Sequence, residues 1–226
     1  MRHVFRVFWE ALKNFWDELF ILMLMNIVTV LLMVPVVTFP PALAGLWNAA
    51  NLVANGKSIH WSDYFEGFRR YFWKAWGFAL LDVVVLVVLF ANFRFYAPGT
   101  APFSIDPNLS IWIRALFAGV ALLWLLVQMY PMALLLEQVD QRLWVALRNA
   151  VVLLVASPGF TIVLVLLLLV VAVISTAFPV LWVLTSLALV AVVCNQAVLH
   201  LLEPFQEQAR AESEGEVEPS EEGKPA

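Results

Sequence analysis

The feature that most constrains this chain is a run of about 20 residues with no ionisable side chain, at positions 19–38 (LFILMLMNIVTVLLMVPVVT). An α-helix rises about 1.5 Å per residue, so a run of this length matches the roughly 30 Å hydrocarbon core of a bilayer. The run therefore predicts a membrane-spanning helix.

A proline pair follows this run directly. Pro40 has no amide hydrogen and disfavours the helical conformation of Phe39, whereas Pro41 can occupy the first turn of a new helix. We therefore expect the chain to turn here and to return through the short apolar segment 42–55. The predicted structural corner comprises Pro35, Thr38, Pro40 and Pro41.

The composition places the whole chain in the membrane class. Of its 226 residues 63% are hydrophobic and 13% are charged, whereas soluble domains are about half apolar and about a quarter charged. The segment 203–226 differs, because it holds eight Glu against Arg210 and Lys224. We therefore predict a helical membrane domain over residues 1–202 and a disordered acidic tail over 203–226.

Three segments have the periodicity of amphipathic helices that lie at a membrane interface. The first covers residues 4–20. Its predicted apolar face consists of Phe5, Phe8, Leu12, Phe15 and Leu19. The second covers residues 61–74 and is predicted to be capped by Ser62 or Asp63. The third covers residues 143–154.

Apolar segments between and after these helices complete the predicted fold. The further predicted spans are residues 76–93, 111–136, 159–178 and 179–200. The expected fold class is all-α, a multi-pass helical membrane bundle with interfacial amphipathic helices. The order of segments gives three helical hairpins, each preceded by an amphipathic helix. A threefold duplication and a chance similarity of interfacial helices both explain this order.

The basic residues predict the topology. Eleven of the 13 Lys and Arg residues lie in the N-terminal segment, in 57–74, in 142–148 and in the tail. Basic residues favour the cytoplasmic side, so we expect both termini in the cytoplasm of a protein in the cell membrane. Arg94 and Arg114 flank the loop that this assignment places outside.

The second amphipathic helix also carries candidate contact residues. Arg69, Arg70 and Lys74 share its polar face and are predicted to bind anionic lipid or a protein partner. Aromatic residues beside basic ones could also stack on nucleic acid. The adjoining membrane span favours the lipid bilayer as the partner, and we expect no nucleic-acid binding.

Five polar residues interrupt the apolar segments at similar predicted depths. Asn26, Asp82, Gln128 and Asn195 are predicted to lie about 9 to 14 Å from the cytoplasmic end of each span at 1.5 Å per residue. Asn48, in the short segment 42–55, falls close to the same level. One hypothesis is a polar layer, with Asp82 facing an inward-open cavity beside Asn26, Gln128 and Asn195. The alternative is that each residue makes its own interhelical hydrogen bond.

Motifs of enzymes and cofactor sites are missing from the sequence. It contains no phosphate-binding glycine loop, no His-Glu-x-x-His and no Gly-x-Ser-x-Gly. Cys194 is the single cysteine, and His3, His60 and His200 are scattered along the chain. We therefore predict no catalytic residue, no cofactor and no metal ligand.

Three segments resemble one family of bacterial membrane proteins. Residues 35–42 (PVVTFPPA), residues 11–16 (ALKNFW) and the segment 61–74 are similar to the YesL-type proteins. The resemblance covers roughly the first hundred residues, and the function of that family is not established. Its members usually carry glycine where Pro40 stands, which implies a stiffer corner in this chain.

Three functions are compatible with the sequence. YesL-type proteins are often encoded near carbohydrate-uptake systems, so the resemblance implies an accessory or interaction protein associated with carbohydrate uptake. Its partners would be subunits of a sugar transport system, or further copies of the chain in a homo-oligomer. The alternatives are a small-solute carrier or channel, and a membrane enzyme acting on lipid or on a lipid-linked sugar.

The topology is testable with reporter fusions. Because the basic residues favour the cytoplasm, reporters fused after Gly56 and at the C-terminus are both expected inside. A reporter in the loop between Tyr96 and Ser110 is expected outside. A reporter that is outside after Gly56 while the C-terminal one is inside would contradict the arrangement of six segments.

Overall fold

The described part of the computed structural model comprises residues 2–98 and 106–216, with side chains described for 3–98 and 106–207. Within these ranges the chain is helical and contains no strand, which confirms the predicted all-α class. Short 3₁₀ and π turns lie at Val36–Thr38 and Trp182–Ser186. The helices are α1 (Arg2–Asp17), α2 (Leu19–Met33), α3 (Phe39–Ala54), α4 (Trp61–Arg70), α5 (Phe72–Phe95), α6 (Pro107–Val127), α7 (Pro131–Glu137), α8 (Leu143–Ala156), α9 (Pro158–Ala177) and α10 (Leu187–Glu216).

Several of these helices are long and apolar enough to cross a membrane, as expected for a multi-pass bundle. Five such segments lie in the described ranges, and a pair of helices bent by 88° gives up to a sixth. The bent pair is His3–Asp17 with Leu19–Met33. The five segments are Val36–Ala54, Phe72–Phe95, Pro107–Glu137, Pro158–Ala177 and Trp182–Glu207.

The corner that follows α2 begins earlier in the chain than the sequence predicted. Helix α2 ends at Met33, not at the pair Pro40–Pro41, because Pro35 is the first residue that cannot continue the helical hydrogen bonds. The hydroxyl of Thr38 donates to the carbonyl oxygens of Leu32 (2.5 Å) and Pro35 (3.0 Å). Both prolines of the pair lie buried in the first turn of α3.

The helices form three units, and each unit begins with a helix that packs on the unit before it. Helix α4 packs on α3, α8 packs on α7, and α1 packs on α10. Helices α3, α7 and α10 also contact one another. The three hairpins with their preceding helices therefore close into a ring. The threefold duplication stays a prediction beside chance similarity.

Helix α1 buries a face that overlaps the predicted one but is rotated from it. Val4, Val7 and Ala11 are buried beside Phe15 of the predicted face, whereas Phe5 of that face is 57% exposed. The other residues of the predicted face are partly buried. Small residues allow helices to approach closely in membranes, and large aromatic residues suit the bilayer interface. The right-angle bend from α2 fits a helix along that interface.

Helices α3 and α4 approach each other through two glycines. A Cβ atom on Gly67 would lie 2.5 Å from the Cβ of Asn48, and one on Gly45 would lie 2.8 Å from the carbonyl oxygen of Tyr64. Real Cβ atoms do not come this close to other atoms, so these positions accept only glycine unless a helix moves. Helix α4 is thus fixed along α3.

The N-terminus of α4 is capped two residues before the first of the predicted positions, Ser62 and Asp63. His60 is the capping residue, and its backbone amide donates to the Oδ2 atom of Asp63 over 2.7 Å. Asp63 thus satisfies the amide of the residue before the helix, as the acidic member of a capping box does. Ser62 lies inside the first turn.

The last helix continues beyond the predicted start of the tail. The backbone is helical from Leu187 to Glu216, including Pro204. Glu, Gln, Ala and Arg are good helix formers, which explains helix where disorder was expected over 203–216. Residues 217–226 lie outside the described ranges, and the domain boundary at residue 202 stays a prediction.

The glycine contact between α3 and α4 predicts a position-specific loss of stability. Gly67→Ala should destabilise the protein by about 1–3 kcal/mol, the usual range for overpacking. Gly119→Ala is the matched control, because Gly119 is also helical but has no atom within 4 Å of an added Cβ. Thermal unfolding in one detergent compares them, and equal midpoints for both variants would contradict the close contact.

Candidate functional site

The five polar residues of the predicted layer do not form one layer. Asp82 and Gln128 contact each other, whereas Asn26, Asn48 and Asn195 each bond elsewhere. The alternative expectation, that each residue makes its own hydrogen bonds, describes these three.

Asn26 stabilises the π turn that precedes α10. Its side chain is fully buried, and its Nδ2 atom donates to the carbonyl oxygens of Trp182 (2.9 Å) and Val183 (2.7 Å). Its Oδ1 atom accepts from the amide of Ala188 over 2.8 Å. A π turn breaks the regular pairing of backbone groups, and Asn26 provides the missing partners.

Asn48 joins α3 to α4. Its Nδ2 atom donates to the carbonyl oxygen of Asp63 over 2.9 Å. The same side chain fills the space left by Gly67. Asn48 thus positions α4 and does not face Asp82.

Asn195 belongs to a cluster that the sequence did not predict. Its Oδ1 atom accepts from Nδ2 of Asn51 over 3.1 Å, and the same Nδ2 atom lies 2.6 Å from Oε1 of Glu137. Asn55 donates to that carboxylate oxygen over 3.1 Å. Asn51, Glu137 and Asn195 come from α3, α7 and α10, so this axial cluster joins the last helices of the three units. Each of the three is a polar residue in, or directly after, the last apolar segment of its unit, and this was the available signal.

Asp82 and Gln128 line a pocket between α3, α5 and the break from α6 to α7. The Nε2 atom of Gln128 donates to Oδ1 of Asp82. The pocket has a volume of about 390 Å³, within the range of small-molecule sites. Its remaining walls are apolar, formed by Phe39, Pro40, Leu43, Ala44, Trp47, Ala75, Phe78, Ala79, Val83, Pro131 and Met132. We call this cavity the Asp82 pocket.

The predicted neighbours of Asp82 are only partly correct. Gln128 is a neighbour, but Asn26 and Asn195 do not line the pocket. The error arises because Asp82 and Gln128 lie on adjacent antiparallel helices, whereas Asn26 and Asn195 bond at α10. The indole Nε1 of Trp124 lies beside the Asp82 carboxylate, buried and without a well-formed hydrogen bond.

The proline corner forms one wall of this pocket. Phe39 and Pro40 line it directly. The indole of Trp76, on α5, donates to the carbonyl oxygen of Val37 over 3.1 Å and fastens the corner to α5. A stiff corner therefore gives the pocket a fixed wall.

The three basic residues predicted to share the polar face of the second amphipathic helix differ in exposure and in their contacts. Arg69 and Arg70 are exposed, and Arg70 lies 3.7 Å from Glu66. Lys74 is partly buried and donates to Oε1 of Gln141 over 2.9 Å. Lys74 thus holds α5 to the linker before α8, and Arg69 and Arg70 remain available for contacts.

Tyr71 lies beneath these cations. The guanidinium of Arg70 and the ammonium of Lys74 lie 5.7 and 5.5 Å from its ring centre. Its hydroxyl accepts from Nε2 of Gln141 over 2.9 Å. Burial raises the pKa of Tyr71, partly offset by Arg70 and Gln141. The ring therefore stays neutral and suits cation–π contact.

The described residues hold no group of three or more His, Cys, Asp or Glu side chains that could bind a metal ion. Cys194 is buried and free. The rings of His3 and His200 stack with their centres 6.1 Å apart, whereas His60 lies beside Asp63 at the start of α4. The three histidines therefore do not form one cluster.

One family model matches part of the chain. Residues 19–93, about a third of the chain, match the model of the family described as "Protein of unknown function, DUF624". The YesL-type resemblance is consistent with this match. No curated protein and no solved structure matches the chain. The matched stretch contains the proline corner, α4 and Asp82.

The contacts of Asn26 predict its contribution to stability. Asn26→Ala leaves the carbonyls of Trp182 and Val183 and the amide of Ala188 without their partner, at a cost of about 1–3 kcal/mol. Asn92→Ala serves as control, because Asn92 donates to Val88 in its own helix. Thermal unfolding in detergent measures both, and a loss no larger than that of the control would show that Asn26 does not hold the π turn.

Proposed function

We propose, from the place of residues 19–93 in a membrane-protein family of unknown function, that this chain is an accessory protein of a membrane transport system. Helix α4 is the docking element in this proposal. The observation that carries it is that α4 is rigidly fixed on the bundle while Arg69 and Arg70 stay exposed.

The fixation of α4 is extensive for a helix of 10 residues. Besides the glycine contacts, the hydroxyls of Tyr64 and Thr29 lie 3.0 Å apart in a buried hydrogen bond between α4 and α2. Burial raises the pKa of Tyr64, so its hydroxyl keeps its proton. A helix held in this way loses little conformational freedom when a partner binds, which favours affinity.

The free face of α4 has the chemistry of a protein-binding surface. Trp61 and Phe65 are 39% and 44% exposed, and their rings stack 6.5 Å apart. Arg69 and Arg70 follow on the same helix. Aromatic residues and Arg dominate binding energy in protein interfaces, so we expect an acidic partner surface with an apolar centre.

The partner that we propose rests on the family resemblance. It implies subunits of a carbohydrate-uptake system in the cell membrane. The distribution of Lys and Arg favours a cytoplasmic location for both termini and for α4. The docking face would therefore meet the cytoplasmic parts of such a transporter.

A second candidate is a small-solute carrier. It is favoured by the Asp82 pocket together with two interrupted helices, the break between α6 and α7 and the π turn at Trp182–Ser186. Secondary transporters often bind their substrates where membrane helices are broken. No such observation in the described residues favours the enzyme alternative.

Charge reversal on α4 tests the docking proposal. Arg69→Glu with Arg70→Glu should reduce recovery of sugar-transport subunits with the tagged protein from native membranes by at least about tenfold, because a desolvated charge contact is lost and repulsion added. Arg142→Glu with Arg148→Glu is the control, since these exposed residues give the same change of charge near α8.

The readout is quantitative mass spectrometry at equal expression. Equal recovery with both double variants would contradict docking through α4. If wild type and the α4 variant differ only in co-purified anionic lipid, the face binds lipid instead.

A further inference from the structure

We infer that the Asp82 pocket binds a lipophilic organic cation, an ammonium group carried on an apolar or aromatic body. This inference does not depend on the docking role of α4. It rests on the charge balance, the walls and the opening of the pocket.

The charge balance leaves Asp82 without a cation. None of the salt bridges within the described ranges includes Asp82. Its hydrogen-bond partner is the neutral amide of Gln128. Charged residues inside membranes are costly and usually pair with another charge or serve a function. A bound cation would supply the missing charge.

The residues that line the pocket indicate the chemistry of the ligand beyond its cationic group. The aromatic rings of Phe39, Trp47 and Phe78 line the pocket. Aromatic faces attract ammonium groups, most strongly when the cation is desolvated. The apolar surroundings favour an apolar body, and the volume of about 390 Å³ admits a small aromatic ammonium compound. An anion would be repelled by Asp82, and a strongly hydrophilic solute would find only one polar pair.

The pocket opens towards the surface that would face lipid. Phe39 is 38% exposed and Val83 is 58% exposed, and both lie on its wall. Gln128 directly follows the last residue of α6 and lies three residues before Pro131, where α7 begins. A ligand that partitions into the bilayer can therefore reach Asp82 without crossing the packed axis of the bundle.

A pair of isosteric probes tests the inference. Benzyltrimethylammonium carries a quaternary nitrogen, and neopentylbenzene has the same shape with carbon in that place. Binding of both radiolabelled probes to protein in nanodiscs is measured against empty nanodiscs. We expect saturable binding of the cation to the wild type, at least tenfold tighter than that of the neutral probe.

Two variants locate the binding. Asp82→Asn keeps the size of the side chain and removes its charge, so it should weaken cation binding at least tenfold and leave the neutral probe unchanged. Asp17→Asn is the control, because it removes the same charge from an exposed position. Ala79→Trp fills the pocket and should abolish binding of both probes.

Each contrary result would overturn the inference. These results are no saturable cation binding to the wild type, equal affinity for the two probes, or cation binding that survives Ala79→Trp. If Asp82→Asn does not fold, the comparison of the two probes and the Ala79→Trp variant still test whether the pocket binds the cation. Recovery of transport subunits should be unchanged in both pocket variants, so failure of this inference and failure of the docking proposal are distinguishable.

Discussion

The bilayer core offers no water to backbone polar groups, and this constraint governs every interruption in the fold. The two clearest interruptions are each satisfied by one side chain. Thr38 donates to two carbonyls at the proline corner. Asn26 contacts three backbone groups at the π turn. Because these partners are built in, the chain can bend inside an apolar protein without losing its pairing, and the bend at the corner provides a wall of the Asp82 pocket.

The lack of water in the bilayer core also bears on how the three units of the ring are held together. A hairpin of apolar helices has no hydrophobic driving force towards its neighbours in lipid, so close packing and polar contacts must hold the units together. Helix α4 provides both on α3, through Gly67 and the bond from Asn48 to Asp63. Helix α1 reaches α10 with small buried residues and with the contact from Asn14 to Gln196 over 3.4 Å. The first and last helices thus close the assembly.

The sequence predicted the helices, but for most polar side chains it did not predict which groups they contact. Apolar runs and periodicity predicted the all-α bundle, and spacing predicted the contact between Asp82 and Gln128. The end of α2 was wrong because Pro35 and the pair Pro40–Pro41 are both plausible breaks, and only the tertiary structure selects one. The depth count could not show hydrogen-bond partners, so it grouped Asn26, Asn48 and Asn195 with residues that they do not contact. Asn51 and Glu137 were missed because they lie near or just beyond the ends of the predicted apolar segments 42–55 and 111–136.

The two polar sites of the bundle differ in how their carboxylates are compensated, and this difference separates structure from function. In the axial cluster two amide groups, from Asn51 and Asn55, donate to Glu137, and Asn195 ties the third unit to them. Such a network is satisfied by the protein itself and holds three helices together. Asp82 receives one amide bond in an apolar pocket of ligand size. Asp82 is only partly buried and has no cationic partner among the described residues, and a carboxylate within a membrane segment usually pairs with a cation or serves a function. The pocket, and not the axial cluster, is therefore the site that the proposed cation would occupy.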